Sequence, residues 1–334
     1  MLMRVLITGG TGFIGSGLAR RLLGAGHSVR LLSLIQTPAE RSNADDLVAR
    51  GASLIEGTVA DRSLHGAAID GVDVVHHVAA TMREADVPDR VFWDTNVSAT
   101  KDLVAACRRG GARRFVYCST MGVTGDVKGR VVDETVPYRP HDIYQRTKAA
   151  AEQWIVEECR RDALEATAVR PADVYGPGDR RLLKLFQMVG SGKFVYLGSG
   201  RGRRHMIYID DLLDGMIAAQ ELPAAVGEVF LLAGPSPIRL VDLVATIARE
   251  MNVPEPRRHV PYGPVWLASV LVEAACRPLK VQPPIYPRRV NFFAHDYAFD
   301  TAKAGRALGF HPRVDVAEGV RRTIEAYRAE GLLA

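Results

Sequence analysis

Cysteine is scarce in this sequence, and its spacing argues against two kinds of cross-linked fold. The chain of 334 residues has four cysteines, far apart, with no CxxC motif and no Cys/His pair at metal-ligand spacing. We therefore expect neither a disulfide framework nor a structural zinc site, and no metal is predicted. A chain of this length can bury a core without such cross-links, and unpaired cysteines favour a reducing, cytoplasmic location.

Long apolar runs and blocks of like charge are also missing. The longest apolar stretch, 260–276, contains Pro264 and Glu273 and is too short to span a bilayer comfortably. No transmembrane segment is predicted, but two roles stay open for this stretch: weak peripheral membrane contact, or cover for an apolar pocket. The N-terminus has no signal-peptide cleavage pattern. No nucleic-acid motif occurs, so nucleic acid is not an expected partner.

The composition is that of a globular protein. Apolar residues make up 47% and charged residues 24% of the chain, and at about 150 residues per domain the length predicts roughly two lobes. The formal net charge is +5. This charge suits an anionic small ligand, but a solvated, arginine-rich surface is the favoured explanation.

The first half of the chain alternates two periodicities. Short β-rich runs, such as 3–8 and 114–118, are separated by helical stretches, such as 12–25 and 144–162. This alternation is typical of βαβ units, whose parallel sheet is covered by helices on both faces. The sequence therefore predicts an α/β fold with a Rossmann-type doubly wound parallel sheet.

A glycine-rich segment, TGGTGFIG at 8–15, follows the first predicted strand and opens the first predicted helix. Glycine permits a tight turn and lets the backbone approach a pyrophosphate, whose charge then lies at the N–H groups of the helix start. Three glycines alone are a weak signal. Their position at the first strand–helix junction of a βα chain predicts a dinucleotide site.

The dinucleotide site sets the expected division of the chain. Residues 1–175 form an NAD(P)-binding domain, to which segments near 205–233 return. Residues 176–334 form mainly a smaller, mixed α/β substrate-binding lobe, interleaved with the first domain. Prolines cluster between 278 and 287 and predict irregular structure in that part of the second lobe.

The choice between NAD and NADP stays open. In dinucleotide folds an acid about 20 residues after the glycines holds the ribose 2′-hydroxyl. The corresponding strand, 29–34, ends in Ser33 and Leu34, and neither is acidic. Arg41 could reach a 2′-phosphate, although a single loop arginine is more often a surface residue. The predicted cofactor is NAD or NADP.

Tyr144 and Lys148 stand four residues apart in a predicted helix and so share one face. A phenol with a pKa of about 10 is a poor base at neutral pH, but an adjacent ammonium lowers that value. The hydroxyl of Thr120, at the end of a predicted strand, could hold a substrate oxygen while Tyr144 moves the proton. Taken alone, such a Tyr/Lys pair also occurs on solvated helix faces.

The order and spacing of these motifs carry a resemblance that covers nearly the whole chain. It rests on TGGTGFIG (8–15), HHVAA (76–80), CST (118–120), YQRTK (144–148), RPADVYGPGD (170–179) and HMIYIDDL (205–212). The sequence resembles the extended short-chain dehydrogenase/reductase superfamily, in its NAD-dependent epimerase/dehydratase family, and is nearest the 3β-hydroxysteroid dehydrogenase-like branch.

The resemblance implies a role for each matching position. Thr120, Tyr144 and Lys148 would be catalytic, and the last two would also touch the cofactor. The implied cofactor contacts are Gly9, Gly12, Phe13, Ile14 and Gly15 at the pyrophosphate, Ser33 at the ribose, Thr58 and Val59 at the adenine, and Ala79, Ala80, Thr81, Asn96, Ser119, Pro171 and Val174 along the rest of the path. The predicted substrate contacts are Thr120, Asp173, Arg204 and Trp266.

Several positions depart from the family pattern. Ser33 replaces the usual Asp, Thr58 replaces an acid that commonly meets the adenine, and Thr124 replaces the Tyr of V-Y-G. Met121 follows Thr120 where sugar dehydratases carry an Asp-Glu pair. A 4,6-dehydratase is therefore disfavoured, because no acid beside the threonine could assist water elimination.

Three functions stay open at this point. The favoured one is an NAD(P)-dependent oxidoreductase that interconverts a secondary alcohol and a ketone on an apolar, steroid-like or related molecule. The alternative is a nucleotide-sugar 4-epimerase with bound NAD, and the lesser alternative is a non-catalytic NAD(P)-binding protein. An apolar substrate would fit the apolar residues of the second lobe, namely Tyr262, Val265, Trp266, Leu267, Val270, Leu271, Ile285, Phe292 and Phe293.

A nucleotide diphosphate would instead need cationic groups. Arg201, Arg203 and Arg204 stand close together in the second lobe and favour such a ligand. The resemblance further implies a homodimer, formed by the helices at 93–109 and 144–162. The expected partners are thus a small-molecule substrate and a second copy of the chain.

Overall fold

The computed structural model describes residues 2–82, 87–161, 164–279, 281, 283–291 and 293–333. Phe292, one of the apolar residues singled out above, lies outside this set. The strands are β1 Arg4–Thr8, β2 Ser28–Ser33, β3 Ser53–Glu56, β4 Val74–His77, β5 Arg114–Cys118, β6 Glu165–Pro171, β7 Asp173–Tyr175, β8 Tyr196–Leu197, β9 Arg203–Arg204, β10 Met206–Tyr208, β11 Val229–Leu232, β12 Ile238–Arg239 and β13 His259–Val260.

Helices connect these strands over the described part of the chain. They are α1 Phe13–Gly24, α2 Pro38–Ala49, α3 His65–Ile69, α4 Asp89–Trp93, α5 Ala99–Gly110, α6 Ile143–Arg161, α7 Leu183–Gly190, α8 Ile209–Glu221, α9 Leu240–Glu250, α10 Tyr262–Leu279, α11 Pro287–Asn291, α12 Ala302–Leu308 and α13 Val316–Ala329.

A seven-stranded parallel sheet forms the centre of the molecule. Its strand order is β11-β6-β5-β4-β1-β2-β3, and each pairing is parallel. The order reverses between β1 and β4, and in open α/β sheets ligands bind beyond the carboxyl ends of the strands at this switch point. The Rossmann-type doubly wound fold is confirmed.

Side chains of each strand alternate between the two faces of the sheet and enter two separate cores. Val5 and Ile7 pack in one core, and Leu6 packs in the other. All five residues of β5 are buried. Because β-branched and aromatic residues fit a sheet covered on both faces, these runs form central strands.

Over the part of the chain that the structure describes, three two-stranded sheets lie outside the central sheet. β10 pairs with β7, β12 with β9, and β13 with β8. The pairing of β7 with β10 is parallel and sets Asp173 opposite Met206. The β7–β10 pair thus brings residues 206–208 to the segment that directly follows β6. The division into two domains stays a prediction.

The prediction of irregular structure between 278 and 287 is wrong at both ends. Pro278 lies in the last turn of α10, and Pro287 begins α11. A proline is tolerated at the first position of a helix because its missing N–H would have no intrahelical partner there. Helix α12, at 302–308, was not predicted at all. Within the described residues, no helix has both the length and the apolar character needed to cross a bilayer.

Candidate active site

The glycine segment forms the turn between β1 and α1. Gly9 has a φ of +67°, and a Cβ there would lie 2.9 Å from the Ala79 Cα. A Cβ on Gly15 would overlap the Gly9 carbonyl oxygen. These two positions therefore require glycine, one for its left-handed backbone and one for close packing. The turn leaves the start of α1 open, since no side chain caps it at Gly12.

Ser33 lies at the end of β2, next to this turn. It is buried, and its hydroxyl oxygen accepts a hydrogen bond from the Thr11 N–H at 3.2 Å. The structure thus places Ser33 beside the glycine turn, and its contact with a ribose stays a prediction. Arg41 instead pairs with Glu56 at the surface, with a shortest N–O distance of 2.9 Å.

The predicted adenine contacts follow β3. The Thr58 hydroxyl accepts a hydrogen bond from the Ala60 N–H at 3.2 Å. Val59 is buried, and its carbonyl oxygen lies 2.8 Å from Nε2 of His65. Both residues therefore lie in a turn that is held by local hydrogen bonds.

Asn96 is buried and joins two segments of the chain by side-chain hydrogen bonds. It lies in a π-helical turn, Asp94–Ser98, between α4 and α5. Its amide oxygen accepts from the Thr81 N–H at 2.8 Å, and its Nδ2 donates to the Thr81 carbonyl and to Thr147 Oγ1. Asn96 thus ties the loop after β4 to helix α6. The π-turn was not predicted, although such turns often occur at functional sites.

A second buried chain of hydrogen bonds joins Asn96 to the glycine turn. The Thr100 hydroxyl donates to the Asn96 carbonyl, His77 lies between Thr100 and Thr8, and Thr8 Oγ1 accepts from the Ala79 N–H. Burial lowers the pKa of His77 well below its usual value, so the ring is neutral. With Nε2 protonated, it can donate to Thr100 and accept from Thr8.

Ser119 and Thr120 follow β5 at the carboxyl edge of the sheet. Thr120 is the N-cap of a short 3₁₀ turn, and its hydroxyl oxygen accepts from the Gly122 N–H at 3.2 Å. The Ser119 hydroxyl is buried, and among the described residues it has no hydrogen-bond partner. A buried hydroxyl without a protein partner is expected to have one on a ligand or water.

Lys148 lies on α6, one turn after the half-buried Tyr144. Its side chain is buried, with Nζ 4.0 Å from the centroid of the Tyr117 ring. An ammonium over an aromatic face is attracted by the electron-rich ring. Burial lowers the pKa of Lys148 to about 8, against the opposing effect of Cys118 and Glu152.

The depressed pKa of Lys148 predicts a stability effect in the cofactor-free protein. Between about pH 8 and pH 9.5 the native state releases a proton that the unfolded state keeps, so the free energy of unfolding rises with pH. Compared with Lys148→Met, the wild type should gain about 1–2 kcal/mol over this range. Urea unfolding at both pH values measures the difference. A constant or falling difference would contradict the buried ammonium.

A buried ion pair lies one turn further along α6. Glu152 contacts Arg170 of β6, with Nη2–Oε1 at 2.6 Å and exposed side-chain fractions of 0% and 2%. The Tyr138 hydroxyl donates to the same carboxylate oxygen at 2.6 Å. The pair fastens the helix that carries Tyr144 and Lys148 to the strand that ends at Pro171.

Asp173 and Arg204, both predicted substrate contacts, pair with each other. Their side chains are 11% and 3% exposed, and the guanidinium lies 4.8 Å from the centroid of the Tyr297 ring. Arg203, next to it, pairs with Asp296 at 2.7 Å. These arginine charges are thus already matched by carboxylates.

Sequence reasoning missed Arg181, which lies beside two of the predicted cofactor contacts. Its Nη2 donates to the Val174 carbonyl at 2.6 Å, and its guanidinium lies 5.6 Å from the centroid of the Phe13 ring. Asp179 accepts from its Nε at 2.9 Å. The only signal in the sequence was an arginine shortly after the YGPGD motif.

Trp266 lies apart from this cluster, on α10, with 40% of its surface exposed. Most of the other predicted residues lie on the glycine turn, around Asn96, after β5, in the first turns of α6, and on β7. The placement of Trp266 gives no direct support for a substrate contact.

The residues around the turn fit a bound nicotinamide dinucleotide. Gly9 and Gly15 leave the space that a Cβ would fill, the start of α1 is uncapped, and Ser119 has a buried hydroxyl without a partner among the described residues. An open helix start with nearby glycines favours a phosphate group. Gly12, Phe13, Ile14 and Gly15 would hold it.

Two relatives match nearly the whole chain. One is the "3 beta-hydroxysteroid dehydrogenase/Delta 5-->4-isomerase" of Mycobacterium tuberculosis, 30% identical, covering 98% of this chain and 90% of the relative. The other is the "2-alkyl-3-oxoalkanoate reductase" of Stenotrophomonas maltophilia, also 30% identical, covering 96% and 98%. Both resemble the chain from end to end.

A solved structure shows the same fold. The UDP-glucuronic acid 4-epimerase of Bacillus cereus superposes with a TM-score of 0.81 at 22% identity, covering 98% of this chain and all of that one. Residues 5–233 match the family described as the NAD dependent epimerase/dehydratase family. This match spans the glycine turn, Thr120, Tyr144 and Lys148. The chain belongs to the NAD-dependent epimerase/dehydratase family, whose members include dehydrogenases, reductases and epimerases.

Proposed function

We propose that the protein is an NAD(P)-dependent oxidoreductase that interconverts a secondary alcohol and a ketone on an apolar small molecule. The observation that carries this proposal is the pairing of Arg204 with Asp173 and of Arg203 with Asp296. Of the three arginines that could have gripped a diphosphate, only Arg201 is exposed. A nucleotide-sugar substrate would have to displace carboxylates that are already bound.

The proposed roles of the catalytic residues are those that the family resemblance implies. The Thr120 hydroxyl holds the substrate oxygen, and Tyr144 gives or takes the proton on that oxygen. The ammonium of Lys148 stabilises the phenolate of Tyr144 and contacts the cofactor. The bound nicotinamide supplies or accepts the hydride. Ser119, Pro171 and Val174 would line the nicotinamide site, and Ala79, Ala80 and Thr81 would line the path toward an adenine held by Thr58 and Val59.

The two relatives reported above support an apolar substrate. Their names specify a hydroxysteroid and a 2-alkyl-3-oxoalkanoate. Each name describes an oxidation or reduction at an alcohol or ketone carbon. By analogy with these two relatives, we favour a reaction that releases an oxidised or reduced product over an epimerisation.

A substrate panel tests this proposal. Hydrophobic secondary alcohols with oxidised cofactor, and the matching ketones with reduced cofactor, should change the near-ultraviolet absorbance of the nicotinamide in step with turnover. The same panel includes UDP-sugars, which are the substrates that the 4-epimerase alternative requires. Interconversion of UDP-sugars by enzyme with tightly bound NAD, without net change in the cofactor, would replace this proposal by the 4-epimerase.

The cofactor preference depends on Ser33. No carboxylate at the end of β2 repels a 2′-phosphate, so we expect modest discrimination between NAD and NADP. Ser33→Asp should shift the ratio of the two dissociation constants toward NAD by about tenfold, through a ribose acceptor and repulsion of the phosphate. Ser33→Asn, which lacks the charge, is the matched control. Calorimetric titration of both cofactors measures the ratio, and an unchanged ratio in Ser33→Asp would show that another position discriminates.

We further propose that the protein works as a cytoplasmic homodimer through α5 and α6. Lys101 of α5 lies 5.3 Å from the centroid of the Trp154 ring of α6, so the two helices already share a surface. Sedimentation equilibrium tests the assembly. A monomer at working concentration would contradict it.

A further inference from the structure

Helix α10 turns an apolar face outward. Ten large hydrophobic side chains are exposed among the described residues, and five of them lie between 266 and 281: Trp266, Leu267, Leu271, Leu279 and Val281. The exposed fractions of Leu267 and Leu271 are 55% and 62%. These two leucines are four residues apart and so lie on one side of the helix. Exposed apolar side chains grouped in one short segment mark a candidate place of interaction.

Contacts on the other side of α10 fix this orientation. Ser269 is buried, and the Tyr262 hydroxyl donates to Asn291 Oδ1 of α11 at 2.7 Å. Val290 of α11 is also buried. The helix is therefore held to the molecule by one side, and its exposed leucines do not belong to an internal core.

The charge of the surrounding segment identifies the kind of partner. Residues 257–293 contain six lysines and arginines and a single acid, Glu273. The net charge of this segment is therefore +5, equal to that of the entire chain, and the remaining residues are neutral in sum. Arg257 and Arg258, just before α10, are exposed. Apolar and basic groups thus occur together in one short segment.

We propose that α10 and its flanking residues, the α10 surface, dock on an anionic phospholipid bilayer. An apolar helix face enters about 5–10 Å into the boundary between headgroups and acyl chains. Each basic residue near an anionic leaflet adds about 1 kcal/mol of attraction. A second copy of the chain is disfavoured as the occupant, because two surfaces of the same positive charge repel each other. The inference rests on the α10 surface and is independent of the reaction proposed above.

Vesicle flotation of the purified chain tests the proposal. The protein should float with vesicles of phosphatidylcholine and phosphatidylglycerol, and should bind pure phosphatidylcholine about tenfold more weakly. High salt should reduce binding to the anionic vesicles, since it screens the basic residues. Failure to float with the anionic vesicles at low salt would overturn the proposal.

Two double variants test whether binding depends on the α10 surface or on exposed apolar side chains in general. Leu267→Ser with Leu271→Ser should lower vesicle binding by about tenfold or more, because two inserted leucines are lost. Val48→Ser with Val131→Ser removes side chains that are 47% and 59% exposed elsewhere and should leave binding unchanged. Equal loss in both pairs would contradict the assignment. If the wild type forms a dimer and the double leucine variant is a monomer, a second copy of the chain covers the α10 surface. That result would overturn the proposal of bilayer docking.

Tryptophan fluorescence provides a test that needs no folded leucine variant. Vesicles with phosphatidylglycerol should shift the emission of the wild type to shorter wavelength, because Trp266, 40% exposed and next to Leu267, lies at the edge of the docked surface. Trp266→Phe should abolish this shift and keep flotation. A shift that persists in Trp266→Phe would show that Trp93 or Trp154 meets the lipid instead, and would contradict docking through α10.

Discussion

Tyr144→Phe should lower the turnover number by about 100-fold or more, the range for loss of a positioned acid or base. Cofactor affinity and stability should change little, because Tyr144 is only half-buried and phenylalanine retains its ring. Lys148→Met differs in kind. It removes a buried ammonium from the face of Tyr117 and should weaken both turnover and cofactor binding. Steady-state kinetics and cofactor titration separate the two effects.

A matched control is Tyr175→Phe, which removes another phenol outside the catalytic set. The Tyr175 hydroxyl donates to the Asp315 carbonyl at 3.3 Å, so its loss should affect stability slightly and turnover little. Full activity in Tyr144→Phe would remove the proton-transfer role from this residue.

Arg170→Met should destabilise the fold by about 3–5 kcal/mol, a large share of the 5–15 kcal/mol typical of a folded domain. The substitution leaves the carboxylate of Glu152 fully buried, with the Tyr138 hydroxyl as a remaining donor. An unpaired buried charge is far more costly than the pair itself. Urea unfolding at neutral pH measures the loss.

The double variant Arg170→Met with Glu152→Leu is the control for this prediction. It removes both charges together, and a buried pair replaced by apolar side chains is often neutral for stability. We expect stability within about 1–2 kcal/mol of the wild type, together with measurable activity, since the pair supports α6 without touching the reacting atoms. A single variant as stable as the wild type would show that Glu152 has another partner.

The local parts of the site could be predicted from the sequence. The glycine turn and the Tyr144/Lys148 pair depend on spacing within one turn or one helix, and local geometry decides them. The alternation of strands and helices likewise predicted the parallel sheet and, within about two residues, the bounds of α6. Such features are determined by local steric constraints, as the left-handed φ of Gly9 illustrates.

The pairings between distant elements could not be predicted. The sequence gives no sign of the ion pair between Arg204 and Asp173, which forms because the pairing of β7 with β10 brings their segments together. Sequence spacing gives no information on which carboxylate a buried arginine meets. The helix that begins at Pro287 was missed for a different reason: a proline is excluded from the interior of a helix but not from its first turn.

Transfer of an isotopic label tests the proposed reaction most directly. Reduced cofactor that carries deuterium at its transferable position is mixed with the enzyme and a hydrophobic ketone. We expect an alcohol with deuterium on the carbinol carbon, formed in equal amount to the cofactor oxidised, and the same product formed at least about 100-fold more slowly with Tyr144→Phe. Unlabelled product from UDP-sugars, with the added cofactor unchanged, would contradict the account.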